Sequence, residues 1–313
     1  MLHFKFMTFK NVQQLLDHFK DEATCKAYLE QKRWGGVPAC HHCGSVHVYR
    51  TNRGFKCAEK LCGKKFSVLT GTVYENTKLP LRTWFAGLYL CSSSKKGISS
   101  LQASRQLGIT QKSAWFLNHR IRQMLKNNAP QLLNETVQLD ETYVGGRAAN
   151  KHKSKRLSNE PYKRYDDKAP VIGIVDNNGK VILKAIPWVT KRTIAKIIET
   201  HIGKGSTMVT DSHIIYKHLA NSPYYNHKTV NHNADEYVNK EGYHTNRIEG
   251  VFSIFKRGIF GIYHSVSSKH LQKYCDEFAL RYNTRLIGDD ERFNNSLENC
   301  NGRLKYKDLT KKL

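Results

Sequence analysis

The sequence predicts an α/β protein in which a domain built on a mixed β-sheet follows a small metal-binding module and a helical region. Four of the eight cysteines fall in two close pairs between residues 40 and 62. Residues 80–125 repeat apolar residues at helical spacing, whereas segments after residue 135 alternate apolar and polar residues as strands do. With 313 residues, of which 39% are hydrophobic, the chain can form two or three domains with their own cores.

The net charge indicates a polyanionic partner. There are 51 Lys and Arg residues against 26 Asp and Glu, which gives a formal charge of +25, far more than solubility requires. No apolar run approaches the roughly 18 residues of a membrane span, and residues 1–20 lack the features of a secretory signal. We therefore expect a nucleic-acid partner, no membrane association and a cytoplasmic, nucleoid-associated location. Thiols stay reduced there, so the cysteines are expected to bind metal or to lie buried.

The first element predicted along the chain is a short helix. Residues 10–33 place apolar side chains near the helical period, and the Gly35-Gly36 pair ends the pattern. We assign residues 1–36 to an N-terminal helical segment.

The paired cysteines predict a zinc ribbon over residues 37–79. Cys40 and Cys43 enclose two residues, thirteen residues follow, and Cys57 and Cys62 enclose four. Structural Zn²⁺ takes four tetrahedral ligands, and each pair supplies two thiolates from one tight turn. Four thiolates fill the coordination shell, so this zinc would be structural. The alternative is that the cysteines are small buried apolar residues, which rarely fall into two close pairs.

Residues 80–126 predict a helix-turn-helix. Helical segments flank a turn at Leu107-Gly108-Ile109, and Thr110 is suited to cap the second helix. The second helix carries donors for phosphates and base edges, of which we predict three as DNA contacts: Lys112, Arg120 and Arg122. The alternative is an ordinary helical hairpin with a solvated basic face.

After a polar linker at residues 127–135, the pattern predicts a mixed-sheet domain over residues 136–288 and a C-terminal tail over 289–313. Three strands come first, and strand and helix alternate later, which suits a mixed sheet. The predicted strands cover residues 136–140, 171–176, 180–186, 207–211 and 228–231, and the predicted helices cover 193–201, 212–220, 245–258 and 268–285. Residues 147–168 form a basic segment that is predicted either to be solvated or to order on DNA.

Three acidic residues are candidates for binding catalytic metal ions. Asp140 and Asp211 each close a predicted strand, and Glu249 lies on a predicted helix. Phosphodiester transfer by two metal ions needs carboxylates that converge, and Mg²⁺ accepts a few carboxylates together with water and phosphate oxygens. Taken singly, each acid could instead be a turn residue or a solvated partner of a cation. Asn246 is an alternative third ligand.

Several motifs in one order resemble the DDE transposases of bacterial insertion sequences that carry an N-terminal zinc ribbon, a group akin to the eukaryotic Merlin elements. The motifs are LCGKKFSVLTGTVYENTKLPL (61–81), LDETYVGG (139–146), VTDSHIIY (209–216), VNHNADEYVN (230–239), HTNRIEGVFSIFKRGIFGIYH (244–264) and KHLQKYCDEFALRYNTR (269–285). The resemblance implies a ribonuclease-H-like fold, with two aspartates on neighbouring strands and the third acid on a later helix. It assigns metal binding to Asp140, Asp211 and Glu249, and DNA contact to Lys256. Phe252 departs from the pattern, since relatives usually have Trp there.

The resemblance therefore implies a DNA transposase that binds the ends of an insertion sequence. Such an enzyme cleaves the strands and transfers them into target DNA, using Mg²⁺ or Mn²⁺ at the acids and structural Zn²⁺ in the ribbon. Its partner would be double-stranded DNA, and holding two ends requires at least a homodimer. Two rivals are a zinc-ribbon transcription regulator without catalysis and a structure-specific nuclease without strand transfer.

Overall fold

The structure is a computed structural model that describes residues 8–126, 132–146, 152, 168–234 and 236–311. The chain divides into two compact units. Unit 1 comprises Met1–Asn127 and Leu286–Leu313, and unit 2 comprises Asn128–Arg285. Within the described residues, no helix is long and apolar enough to cross a membrane. Most of the basic segment 147–168 and part of the linker 127–135 lie outside the described residues.

Unit 1 combines seven helices among its described residues with a small three-stranded sheet of order β1-β2-β3. The first helix ends at His18. The side chain of Asp21 then accepts a hydrogen bond from the backbone N–H of Thr24 at 2.7 Å and caps the start of a second helix. The single predicted helix over residues 10–33 is therefore two helices. The elements are α1 (Val12–His18), α2 (Glu22–Trp34), β1 (Val48–Thr51), β2 (Gly54–Cys57), β3 (Lys65–Phe66), α3 (Leu81–Ser93), α4 (Ser100–Leu107), α5 (Gln111–Leu125), α9 (Asp289–Glu298) and α10 (Tyr306–Thr310).

The residues predicted as a C-terminal tail instead form part of the core of unit 1. Phe293 on α9 is fully buried, and its ring lies 6.0 Å from that of Phe9 and 5.7 Å from that of Phe85. Burial of one aromatic side chain stabilises a fold by about 1.5–3 kcal/mol. Sequence periodicity alone missed this docking because α9 exposes an acidic first turn and has few apolar residues.

Unit 2 is built on a five-stranded mixed sheet of order β6-β5-β4-β7-β8. β4 pairs antiparallel with β5 and parallel with β7. The sheet is therefore antiparallel on one side of β4 and parallel on the other. All five strands were predicted in the sequence. The elements are β4 (Thr136–Val144), β5 (Ala169–Asp176), β6 (Val181–Ala185), α6 (Lys191–His201), β7 (Thr207–Asp211), β8 (Asn226–Val230), α7 (Asn246–Gly258) and α8 (Ser268–Asn283).

Helices cover both faces of this sheet. One face packs against α6 and a 3-10 helix, Ile214–Asn221, and the other packs against α7 and α8. The segment predicted as a regular helix at residues 212–220 is thus a 3-10 helix. Gly173 on β5 lets α7 approach closely, because a Cβ atom there would lie 2.5 Å from the Ile248 side chain.

Candidate functional site

The four cysteines of the ribbon meet in one cluster. The sulfur atoms of Cys40 and Cys62 lie 3.8 Å apart, those of Cys43 and Cys57 lie 3.5 Å apart, and all four lie within 4.8 Å of one another. A tetrahedral Zn²⁺ with bonds of about 2.3 Å separates its sulfur ligands by about 3.8 Å. The cluster therefore fits Zn²⁺. The β1-β2-β3 sheet supports it, since Cys57 ends β2 and packs in a small core with Phe55.

The sheet brings Asp140 and Asp211 side by side. β4 and β7 run parallel, with Gln138 opposite Val209, so the same register continued by two residues sets Asp140 beside Asp211. Side chains alternate between the two faces of a strand. Asp140 pairs with Gly173, whose Cβ position faces α7, and both aspartates therefore point to the face that α7 covers.

Helix α7 carries the third acid to this face. Its first turn holds Glu249, and Gln138 on β4 fixes where that turn lies. The Oε1 atom of Gln138 accepts hydrogen bonds from the backbone N–H groups of Arg247 at 3.0 Å and Ile248 at 3.1 Å. The first N–H groups of a helix have no hydrogen-bond acceptor within the helix. The side chain of Thr245, the N-cap residue, does not accept a hydrogen bond from them. Gln138 thus caps α7 from two residues before Asp140.

Glu249 is held by a short polar network. The hydroxyl of Thr245 donates to Oε1 of Glu249 at 2.8 Å, and Nε2 of His232 lies 3.3 Å from the same oxygen. His232 is also hydrogen-bonded to Thr245 at 2.9 Å. Asn246, the alternative ligand, is the exposed first residue of α7. Gln138, rather than Asn246, provides the side-chain acceptor at the start of α7.

A fourth acid, Glu141, lies on the opposite face of β4. Its carboxylate accepts a hydrogen bond from the hydroxyl of Tyr216, which lies on the 3-10 helix after Asp211. Burial raises the pKa of Glu141 above its ordinary value. Burial also raises the pKa of Asp140 to about 7, and the nearby carboxylates of Glu141, Asp211 and Glu249 act in the same direction.

The three acids are neighbours, but they are less tightly gathered than the cysteines. Within the described part of the chain, only the four cysteines form a group of three or more possible ligands with all ligand atoms inside 4.8 Å. Like charges favour greater separation. The arrangement can accept divalent cations, because rigid elements bring three carboxylates to one face of the sheet.

The predicted DNA contacts fall into two groups. Lys112 at the start of α5 and Lys256 on the exposed stripe of α7 both lie at the surface. Arg120 and Arg122 are only 5% and 3% exposed. The guanidinium of Arg120 donates to the carbonyl oxygens of Glu75 at 2.6 Å and Leu304 at 3.3 Å. The structure therefore gives Arg120 and Arg122 interior positions rather than a DNA-facing surface.

The predicted helix-turn-helix geometry is present in part. α4 ends at Gly108 in the left-handed conformation, and Thr110 caps α5 by accepting from the backbone N–H of Ser113 at 3.2 Å. Beyond its first turn, α5 is largely buried. The ring of Tyr306 on α10 lies 5.1 Å from the Lys112 ammonium group. Only the beginning of α5 is accessible, and whether it reads DNA remains a prediction.

Two protein-family models match the segments that contain the candidate acids and the four clustered cysteines. Residues 132–283 match the ISXO2-like transposase domain. This segment is therefore similar to a transposase domain. Residues 20–65 match the transposase zinc-ribbon domain, which together with the cysteine cluster supports structural Zn²⁺. The transposase domain includes all three candidate acids and Lys256.

Two individual proteins give further similarity. An uncharacterized protein in transposable element ISH50 of Halobacterium salinarum is 26% identical over 275 residues, covering 84% of this chain and 91% of the relative. The crystal structure of a pre-cleavage Mos1 transpososome aligns over 95% of this chain and all of that chain. At 13% identity and a TM-score of 0.23, this second likeness carries no weight for the transposase domain.

Sequence reasoning missed the residues that support the acids. Gln138 acts through contacts with residues 106 or more positions away, and His232 through contacts with residues 13 or more positions away. No local pattern therefore marks either residue. Glu141 lies inside the LDETYVGG motif, beside the predicted Asp140. Its adjacency to Asp140 was the available signal.

Proposed function

We propose that the chain is a DNA transposase that cleaves DNA strands at the ends of a mobile element and joins them to target DNA. One observation supports the proposal most. Asp140, Asp211 and Glu249 lie on one face of the sheet, within the segment that matches a transposase domain. Asp211 ends β7 as predicted, whereas β4 continues to Val144, so Asp140 lies in the middle of its strand rather than at its end. The same placement favours a ribonuclease-H-like arrangement, in which neighbouring strands carry two aspartates and a later helix carries the third acid.

In this mechanism, Asp140, Asp211 and Glu249 would hold Mg²⁺ or Mn²⁺. The bound ions would activate the attacking oxygen and stabilise the leaving oxygen of the phosphodiester. The protein's own part is positioning. Gln138 fixes the first turn of α7, and Thr245 and His232 orient the Glu249 carboxylate toward the aspartates. Lys256 lies two turns further along the exposed side of α7, where it can contact the phosphate backbone.

The zinc ribbon and the start of α5 would recognise the element ends. The chain's formal charge of +25 supports strong phosphate binding, and Lys112 is an exposed cation at the start of α5. Because two ends must be held together, the active form would be at least a homodimer. A regulator without catalysis would need the ribbon but not the three carboxylates.

The test is strand nicking and joining on DNA that includes the sequences flanking the coding region. Asp140→Asn, Asp211→Asn and Glu249→Gln are each expected to abolish both reactions while end binding is retained. Asp176→Asn is the matched control, since Asp176 lies on the same sheet near the opposite ends of these strands, opposite Val137. If all three variants nick and join like the wild type, these acids are not the catalytic residues. If the wild type itself neither nicks nor joins, the regulator becomes the better assignment.

A second arm separates the two candidate third ligands. Glu249→Gln is expected to be inactive, whereas Asn246→Ala is expected to retain measurable cleavage. A dead Asn246→Ala with an active Glu249→Gln moves the third ligand to Asn246. Nicking without joining in the wild type favours the structure-specific nuclease.

A further inference from the structure

One tryptophan of the transposase domain is exposed at the end of the sheet that carries the acids. β4 and β7 are parallel, and their C-terminal residues lie at this end. β6 is antiparallel to β5, as β4 is, so the C-terminal residue of β6 lies at the same end. The loop after β6 therefore leaves the sheet at this same end, two strands from β4. Trp188 lies in this loop and is 64% exposed.

The reach from Trp188 to the acids is short on the scale of DNA. The pairing sets Leu183 of β6 level with Asp140, two strands away. Two strand spacings amount to about 10 Å, and five extended residues add at most about 17 Å. Trp188 thus lies within about 27 Å of Asp140, which is the length of roughly eight base pairs.

The environment of Trp188 differs from that of the other tryptophans. Trp34, Trp84 and Trp115 each pack against an aromatic ring. Within the described part of the chain, Trp188 makes no ring or cation–π contact. An indole left in water forgoes the stabilisation that its burial would bring.

The charges around Trp188 are of one sign. Residues 184–192 contain three cations, Lys184, Lys191 and Arg192, and no acidic residue. Lys191 and Arg192 are exposed, and neither has a carboxylate partner among the residues that the structure describes. Cations that flank an open aromatic ring are the elements of single-strand binding, in which phosphates meet the cations and a base stacks on the ring.

We propose that Trp188, with Lys191 and Arg192, forms a stacking surface for an unpaired DNA base close to the point of strand cleavage. The proposal rests on the proposed function, because it takes DNA to occupy the end of the sheet with the three acids. An unpaired base offers both of its faces, whereas a base inside a duplex is already stacked on its neighbours. Trp188 therefore favours DNA that is single-stranded or opened near the cut.

The experiment compares equilibrium binding of a blunt duplex and of the same duplex with a short single-stranded 3′ extension, without added divalent metal. Trp188→Ala is expected to weaken binding of the extended duplex by about five- to a hundredfold, the range of one base–aromatic stack, and to leave the blunt duplex nearly unchanged. Trp188→Phe keeps an aromatic face and is expected to retain most of the preference.

The matched control is Tyr224→Ala. Tyr224 is 54% exposed and has the Lys204 ammonium 4.5 Å from its ring, but it precedes β8 at the opposite end of the sheet. Its loss is expected to change neither affinity. The inference is overturned if Trp188→Ala binds both probes like the wild type, if it weakens both equally, or if Tyr224→Ala gives the same selective loss.

The two proposals fail separately. Cleavage by the three acid variants tests catalysis, and metal-free binding by the Trp188 variants tests stacking. A selective loss in Trp188→Ala stands even if the acid variants remain active. Conversely, inactive acid variants with an unchanged Trp188→Ala refute only the stacking surface.

Discussion

Gln138 gives the sharpest test of how the fold positions the third acid. Its amide oxygen accepts from the backbone N–H groups of Arg247 and Ile248, and Ile248 is fully buried. Gln138→Leu keeps a similar volume but leaves both donors without this acceptor. A buried donor without a partner costs about 1–3 kcal/mol. Because the Arg247 N–H is only part-buried, the variant should lose on the order of 2–4 kcal/mol.

This loss is large against the 5–15 kcal/mol that typically stabilises a folded domain. For a domain of this size, we expect the thermal midpoint of unit 2 to fall by about 5–15 °C. Circular dichroism during heating measures it. Because the first turn of α7 also carries Glu249, the Mg²⁺ concentration for half-maximal nicking should rise as well.

Gln138→Glu is the control, because a carboxylate still accepts from both N–H groups and a negative charge is favourable at a helix N-terminus. We expect it to retain most of the wild-type stability. If Gln138→Leu melts with the wild type and needs no more Mg²⁺, the side chain does not hold α7, and the positioning argument is wrong.

Four further predictions follow from individual sites. Cys43→Ser should release the zinc and unfold the ribbon, because metal binding supplies much of the folding free energy of such modules. Elemental analysis measures the zinc content, and Cys25→Ala, outside the cluster, should keep a full complement of zinc. Affinity for unrelated duplex DNA should fall steeply with added salt, since phosphate contacts release counterions, and a nearly flat salt titration would contradict a phosphate-dominated interface. Arg120→Ala should destabilise unit 1 by about 2–3 kcal/mol in urea, because its guanidinium bonds buried carbonyls, whereas Lys112→Ala should lower DNA affinity without changing stability. The pKa of Asp140 is raised to about 7, so the folded state binds more protons than the unfolded state between pH of about 4 and 7. Without added metal, the stability of the wild type should therefore fall relative to that of Asp140→Asn as the pH rises through this window. Parallel pH profiles of stability would refute the shift.

Elements that depend on local chemistry could be predicted from the sequence. Paired cysteines at tight-turn spacing predicted the metal cluster, and the structure gathers all four thiols within 4.8 Å. The apolar patterns after residue 135 predicted the five strands of unit 2. β5 has a continuous apolar run, because every residue from Val171 to Val175 is buried in a sheet that is covered on both faces. The two glycines Gly35 and Gly108 marked helix ends because both adopt positive φ angles there.

Which polar groups contact each other depends on the folded arrangement and could not be predicted from the sequence. Gln138 and Arg247 are 109 residues apart, and no sequence period links a strand residue to the N–H groups of a distant helix. Arg120 and Arg122 have the composition of DNA contacts, yet packing of α5 in the interior of unit 1 turns them inward. The sequence specifies residue types and local periodicity, whereas burial depends on which surfaces meet after folding. The same physical reason explains why α9 was predicted as a tail, because its single large aromatic residue, Phe293, becomes a core residue only through contact with distant helices.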